Sequence, residues 1–184
     1  SMLIIRLSYR LESAMIINRE VIYGQNGECG QMNEIYMDRE SPHKLGELVT
    51  AEAIVKRAEE LIKKYPDSPL SMLREINVRD VIKGYNEKDA LCVRIYDEII
   101  YYLGYLIAFM LNWFDPDAIV LNDEIPATEE FQQALRCEVA KYSSEEKAQK
   151  VRVDIAKRSA EYDPALSGGA KYAFDLMIGE IGLE

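Results

Sequence analysis

Side chains that could carry out catalysis are few in this sequence. His43 is the only histidine, so neither a multi-histidine metal site nor a Ser-His-Asp arrangement can be built. Asp97 and Glu98 are adjacent carboxylates, but neighbours on a helix point about 100° apart, which favours a solvated helix edge over a catalytic pair. The cysteines are more than forty residues apart, a spacing that predicts neither a disulfide framework nor a zinc cluster: Cys29, Cys92 and Cys137.

A loop with three glycines spans residues 24–30. It contains the carboxylate Glu28, and Gln31 follows it directly. From the residues alone, Glu28 is interpreted as an exposed carboxylate on this loop.

The elements that must position this loop follow from hydrophobic pattern and turn residues. A long apolar helix is predicted, with a capped start at residues 86–89. It is predicted to end at Asp115, because proline disfavours helix in the residue before it. An apolar strand follows directly, which is typical of an α/β layer. The other predicted elements are strands at 3–7, 14–17, 20–23 and 151–155, and helices at 51–65, 77–84, 128–142 and 164–178.

Composition excludes several functional classes. The formal net charge of −10 argues against direct binding to nucleic acid or to an anionic membrane. The apolar stretch 99–114 has only 16 residues and contains Asn112, so a core helix is predicted instead of a membrane span. Its three tyrosines and the one just before it are interpreted as packing or interface residues instead of stacking platforms for a ligand: Tyr96, Tyr101, Tyr102 and Tyr105. A reducing cytoplasm is the expected location.

The ordered set of segments resembles the ROK family of sugar kinases and sugar-responsive transcriptional regulators. The resemblance covers nearly the whole chain but only the family's C-terminal half. It implies an α/β fold: one ribonuclease-H-like lobe of the actin-like ATPase superfamily, with a mixed sheet flanked by helices. The segments that carry it are Gly27-Glu28-Cys29-Gly30-Gln31-Met32, Leu45 to Thr50, Tyr102-Leu103-Gly104 with Asp115-Pro116 and Ile119-Val120-Leu121, and Ser167 to Ala173.

Departures from the family pattern affect both its nucleotide side and its zinc site. The family's glycine-rich phosphate turn is replaced by Leu7 to Ser13, where Glu12 adds a carboxylate, and its second glycine turn is replaced by Leu121 to Glu124, with Asp123 and Glu124. Such charges would repel phosphate. The family's zinc-binding histidine corresponds to Gln31, and residues 33–44 contain no cysteine. The resemblance therefore implies no metal, no cofactor and no catalytic residue in this chain.

The resemblance also implies where a sugar would bind. The family glutamate that contacts paired sugar hydroxyls corresponds to Glu28, and Gln31 could still bind a hydroxyl. A second family glutamate corresponds to Glu47, although the alignment also permits Gly46.

These observations lead to the following expectations. Residues 1–184 form a single C-terminal ROK-like domain with a helical insertion at about 51–85. Its expected function is the non-catalytic effector-binding and oligomerisation domain of a sugar-responsive regulator, a repressor or pseudokinase in carbohydrate metabolism. It is expected to be no enzyme, to form a homodimer, to bind a sugar or sugar phosphate, and to reach DNA only through a separate N-terminal domain. The alternatives are one lobe of a sugar kinase, or an interaction module without a small-molecule ligand.

Overall fold

A five-stranded mixed sheet organises the fold. The computed structural model describes residues 1–18, 20–37 and 42–156. The strands are β1 (Met2–Leu7), β2 (Leu11–Ile17), β3 (Glu20–Val21), β4 (Ala118–Asp123) and β5 (Arg152–Ile155), arranged in the order β3-β2-β1-β4-β5. Strands β1, β2 and β3 are antiparallel neighbours, whereas β4 and β5 run parallel to β1. This order and direction of strands is the predicted ribonuclease-H-like arrangement.

The central strand β1 shows why the sheet has one strongly buried face. Leu3, Ile5 and Leu7 are 0% exposed, whereas the alternate residue Arg6 is exposed. Successive side chains of a strand point to opposite faces, so this alternation fixes which face packs on the helices. Leu121 on the neighbouring strand β4 belongs to the same core.

The helices are α1 (Gly46–Val49), α2 (Ala51–Leu61), α3 (Val78–Asn86), α4 (Ala90–Phe114), α5 (Glu129–Ala140) and α6 (Glu145–Lys150). Side-chain caps set most of their starting points: the side chain of Thr50 accepts from the Ala53 amide, Asp89 from Cys92 and Thr128 from Phe131. Asn77 and Asp80 form a reciprocal capping box at the start of α3.

Helix α4 is the core helix that the sequence predicts. Thirteen of its 25 residues are buried. It ends at Asp115, which adopts a left-handed conformation with φ of 46°, a conformation that commonly closes a helix. Among the helices that the structure describes, none combines the length and apolar character that a membrane span needs.

Several predicted boundaries are wrong in detail. Strand β2 begins at Leu11 and not at Ala14, because residues 11–13 continue the antiparallel pairing with β1. Strand β3 is limited to Glu20–Val21, and the short helix α6 is missing from the prediction. The predicted helix at 51–65 is α2 followed by a 3₁₀ turn, Ile62–Lys64. The predicted helix at 164–178 lies outside the described residues.

Candidate functional site

The glycine loop 24–30 is anchored to strand β2 by a contact that only glycine can make. Gly30 has φ of +89°, and a Cβ atom there would lie 1.9 Å from the carbonyl oxygen of Ser13. In return, the amide of Ser13 donates to the carbonyl oxygen of Gly30 at 2.8 Å. Gly30 therefore sets the path of the backbone on which Glu28 and Gln31 lie.

An open cavity of about 360 Å³ lies between this loop and the sheet. Four polar or charged side chains line it, together with apolar groups and the loop backbone: Arg6, Glu12, Ser13 and Gln31. Gln31 also pairs with Glu12 through an isolated antiparallel bridge. Glu28 is exposed on the same loop. The structure therefore brings two of the three sequence-predicted site residues, Glu28 and Gln31, onto one short segment beside a polar cavity.

Glu47 lies elsewhere, in the first turn of α1. Its Oε2 atom accepts from the Lys44 amide at 3.2 Å and lies 3.4 Å from Nδ1 of His43. It lines a second cavity of about 350 Å³, together with Tyr9, Asn33 and other residues. The structure therefore does not place Glu47 in the cavity that Gln31 lines.

Gly46, the alternative match to the second family glutamate, is in a crowded position. A Cβ atom at Gly46 would lie 2.6 Å from Oδ1 of Asn33, and this same oxygen accepts from the Leu11 amide at 2.6 Å. Asn33 thus connects β2 with the start of α1. Asn33 could not be predicted as a structural residue, because a single asparagine in a polar segment gives no pattern signal.

A third cavity, of about 610 Å³, lies beside Glu47 and contains a network of paired charges. Arg57 on α2 donates to both carboxylate oxygens of Glu98 on α4, at 2.8 and 2.9 Å, and Arg94 lies 3.0 Å from Glu98. The hydrogen bond from Arg57 lowers the pKa of Glu98. The interpretation as a solvated edge therefore holds for exposed Asp97 but not for Glu98, which links two helices.

The acidic residues on the predicted nucleotide side are less repulsive than the sequence suggested. Nε of Arg6 donates to Oδ2 of Asp123 at 2.6 Å, and Nη1 of Arg6 lies 3.8 Å from Oε2 of Glu12. Asp123 has φ of +72° at the end of β4, and its side chain is only 10% exposed. One guanidinium therefore offsets part of the charge of two carboxylates, an effect that counting acidic residues along the sequence overlooks.

Metal ligands are sparse in this region. Within the described residues, no group of three or more His, Cys, Asp and Glu side chains is arranged to hold a metal ion. We expect the purified protein to contain no stoichiometric zinc. Gln31 and the cysteine-free segment 33–44 do not supply the set of ligands that a zinc site needs. Elemental analysis showing about one zinc per chain would contradict this expectation.

Comparison with known proteins identifies the family to which this chain is similar. The ROK family model matches residues 1–175. A glucokinase from Halalkalibacterium halodurans is 26% identical over 134 residues, which cover 66% of this chain and 41% of that enzyme. Among solved structures, a ROK family transcriptional regulator, a homologue of the Escherichia coli MLC protein, has a TM-score of 0.79 at 20% identity. The match covers 86% of this chain and 42% of the regulator's chain. A ROK family glucokinase from Streptomyces griseus, in complex with glucose and AMPPNP, has a TM-score of 0.72 at 18% identity. The match covers 84% of this chain and 55% of that kinase's chain.

The expectation that the protein is no enzyme is wrong in the light of these relatives. The curated relative is a glucokinase, and the structural neighbours include that kinase and a ROK hexokinase from Thermus thermophilus. The expectation depended on the replacement of both glycine turns and on the acidic residues at 12, 123 and 124. It overlooked the pairing of Arg6 with two of these carboxylates.

The resemblance inferred from the sequence is confirmed over most of the chain. The solved relatives have the same fold, including the mixed sheet flanked by helices. This chain spans about half the length of the relatives that it matches. The chain belongs to the ROK family.

Proposed function

We propose that this chain is the sugar-recognising lobe of a ROK-type, sugar-responsive transcriptional regulator. The observation that carries the proposal is the loop 24–30, which Gly30 fixes against Ser13 and which presents Glu28 and Gln31 beside a polar cavity of about 360 Å³. A monosaccharide fits such a volume, and small-molecule sites commonly combine a few directed polar groups with apolar walls. A sugar phosphate is the related candidate, because Arg6 lines the same cavity.

The chemistry of the loop suits hydroxyl groups. A carboxylate such as Glu28 accepts hydrogen bonds from two neighbouring hydroxyls, whereas the carboxamide of Gln31 can donate one bond and accept another. Two solved ROK relatives were captured with sugars: the Streptomyces griseus glucokinase with glucose, and a ROK protein from Streptococcus pneumoniae with sucrose. These complexes supply the first probes. In this proposal Glu47 has a secondary role, because it lines a different cavity.

Sugar binding can be tested by thermal unfolding of the 184-residue chain with glucose, sucrose and a panel of hexoses, pentoses and their phosphates. A ligand present at 100 times its Kd stabilises the folded state by about 2.7 kcal/mol. We expect at least one member of the panel to raise Tm. No shift across the whole panel would contradict the proposal and favour an interaction module without a small-molecule ligand.

Substitutions on the loop should weaken that binding. We expect Gln31→Ala to lower sugar affinity about tenfold, since a lost neutral hydrogen bond costs about 1 kcal/mol, and Glu28→Gln to lower it about 10- to 100-fold, since bonds to a charged group are stronger. Titration calorimetry measures both effects. Glu59→Gln, a change at an exposed carboxylate on α2, is the matched control and should leave Kd unchanged. Equal affinity in all three variants would place the sugar elsewhere.

A sugar kinase is the second candidate function, and the 26% identity to a glucokinase favours it. Two activity assays on the full-length protein separate the two candidates. Sugar-dependent release of ADP from ATP would support the kinase, whereas a sugar-dependent change in operator binding would support the regulator. Both assays should be run with a sugar that raises Tm of the present chain.

A further inference from the structure

The largest of the three cavities, of about 610 Å³, lies between α2 and α4. Residues spaced by three or four positions lie on one face of a helix, so each of these helices presents one row of side chains to the cavity. The rows are Arg94, Glu98 and Tyr102 on α4, and Lys56, Arg57 and Glu60 on α2. The volume is in the range of small-molecule sites, about 300–1,000 Å³.

Glu98 holds two guanidinium groups side by side. Oε1 of Glu98 accepts from Nη2 of Arg57 at 2.9 Å and lies 3.0 Å from Nη2 of Arg94. Because both nitrogens contact the same oxygen, they lie within about 6 Å of each other. Nε of Arg57 also donates to Glu98, at 2.8 Å. The two arginines are therefore positioned before a ligand arrives, which lowers the entropic cost of binding.

The carboxylates that line the cavity already have donors from the protein. Glu98 contacts the two arginines. Glu60 accepts from Nη1 of Arg57 at 3.1 Å, and Glu47 accepts from the Lys44 amide at 3.2 Å. These acceptors are therefore largely occupied by contacts within the chain.

The unused hydrogen-bonding groups of the cavity are mostly donors. A guanidinium group has five N–H bonds, of which Arg57 uses three and Arg94 one in the contacts above. Lys56 has no ion pair among the residues that the structure describes. Burial, and then the charge of Glu98, raises the pKa of Tyr102, so its hydroxyl stays a donor at neutral pH. The cavity therefore suits a ligand that is rich in acceptors.

Charge in this cavity is balanced, unlike the charge of the whole chain. Its lysine and arginine side chains equal its carboxylates in number: Lys56, Arg57 and Arg94 against Glu47, Glu60 and Glu98. Since the chain has a net charge of −10, an anion meets less repulsion here than over most of the surface. The cations are separated by carboxylates, so a ligand with two spaced negative groups fits better than one with both charges at one point.

We propose that this cavity binds a small organic di- or tricarboxylate, at a site separate from the loop 24–30. One carboxylate of the ligand contacts the free N–H groups of Arg57 and Arg94, because the guanidinium fork matches the two oxygens of a carboxylate. A second carboxylate contacts Lys56. Leu48 and Ala53 supply apolar contacts for the carbon chain. Such a ligand connects α2 with α4.

Titration calorimetry of the 184-residue chain with succinate and with citrate tests the proposal. Ionic strength is held constant with sodium chloride, because salt screens binding between charges. We expect a Kd below about 1 mM for at least one of the two acids. Inorganic phosphate and glycerol 3-phosphate should bind at least about tenfold more weakly, since each concentrates its charge on one group.

Variants test whether the acid binds in this cavity. Arg94→Gln and, separately, Lys56→Gln should each weaken binding about 10- to 100-fold, since each removes charged donors. Both side chains are exposed, so neither change disturbs the core. Arg79→Gln and Lys63→Gln are the matched controls, because they remove the same charges from exposed positions that do not line the cavity. Each control should change Kd by less than about twofold.

Four results would overturn the proposal. The first is no binding of either acid up to about 10 mM at two temperatures. The second is an unchanged Kd in both Arg94→Gln and Lys56→Gln. The third is a loss of binding in Gln31→Ala, which would place the acid in the cavity beside the loop 24–30. The fourth is tighter binding of either phosphate compound, which would assign the cavity to phosphorylated ligands.

Discussion

Phe131→Ala is expected to lower the free energy of unfolding by about 4 kcal/mol, the typical cost of deleting a fully buried phenylalanine ring. Phe131 is 0% exposed and makes edge-on contacts with Tyr85 and Tyr96, each with ring centroids 6.0 Å apart. Those three rings join α5 to α3 and α4. The substitution therefore leaves a cavity where three helices meet, and the surrounding rings cannot close it.

Urea denaturation at a fixed protein concentration measures this loss. Tyr9→Ala is the control, because Tyr9 is 87% exposed and its removal should change stability by less than about 0.5 kcal/mol. Tyr96→Phe gives an intermediate case: it keeps the ring but removes the hydroxyl that donates to the carbonyl oxygen of Glu124 at 3.4 Å, at a cost of about 1 kcal/mol. A loss below about 1 kcal/mol for Phe131→Ala would show that the three rings do not pack as described.

Gly30→Ala is expected to destabilise the protein by about 3–5 kcal/mol. Two costs add at this position: a positive φ is strained for alanine, and its methyl group would overlap the carbonyl oxygen of Ser13 at 1.9 Å. The loop can relieve the overlap only by moving away from β2, which also breaks the hydrogen bond from the Ser13 amide.

Gly27→Ala separates these two costs. Gly27 also has a positive φ, of +71°, but a Cβ atom there would meet nothing within 4 Å. We expect this control to lose only about 1 kcal/mol, the strain alone. If urea denaturation gave equal losses for the two alanine variants, the close contact between Gly30 and Ser13 would be disproved. Hydrogen exchange at the Ser13 amide provides an independent readout of the same contact.

Much of the architecture was predictable from local sequence. The apolar run that stops at Asp115-Pro116 predicted the end of α4, and the cap at Thr128 predicted the start of α5. The missed features depend on partners distant in sequence. The residues at the start of β2 have little strand character alone and gain it from pairing with β1, and α6 is too short to show a helical period.

The loop residues of the candidate site could be predicted from the sequence, but the residues that surround the loop in the folded protein could not. The resemblance of Gly27 to Met32 to a ROK family segment located Glu28 and Gln31, and the glycines of that segment adopt the positive φ that favours glycine. Spacing could not show that Glu47 lines a separate cavity, nor that Arg6 lies between Glu12 and Asp123. Both features depend on contacts between residues that are distant in sequence, and no local sequence pattern indicates such contacts.

The position of β1 in the sheet has a consequence for how the protein folds. Met2 pairs with Ala118, and the central strand therefore acquires its parallel neighbour from a segment more than a hundred residues later in the chain. Closing so long a loop costs conformational entropy before any contact compensates for it. During synthesis β1 cannot gain this neighbour until β4 has left the ribosome, and until then β1, β2 and β3 can form only an antiparallel sheet in which one edge of β1 is unpaired. Folding should therefore be slow, and the nascent chain should depend on chaperones during that interval.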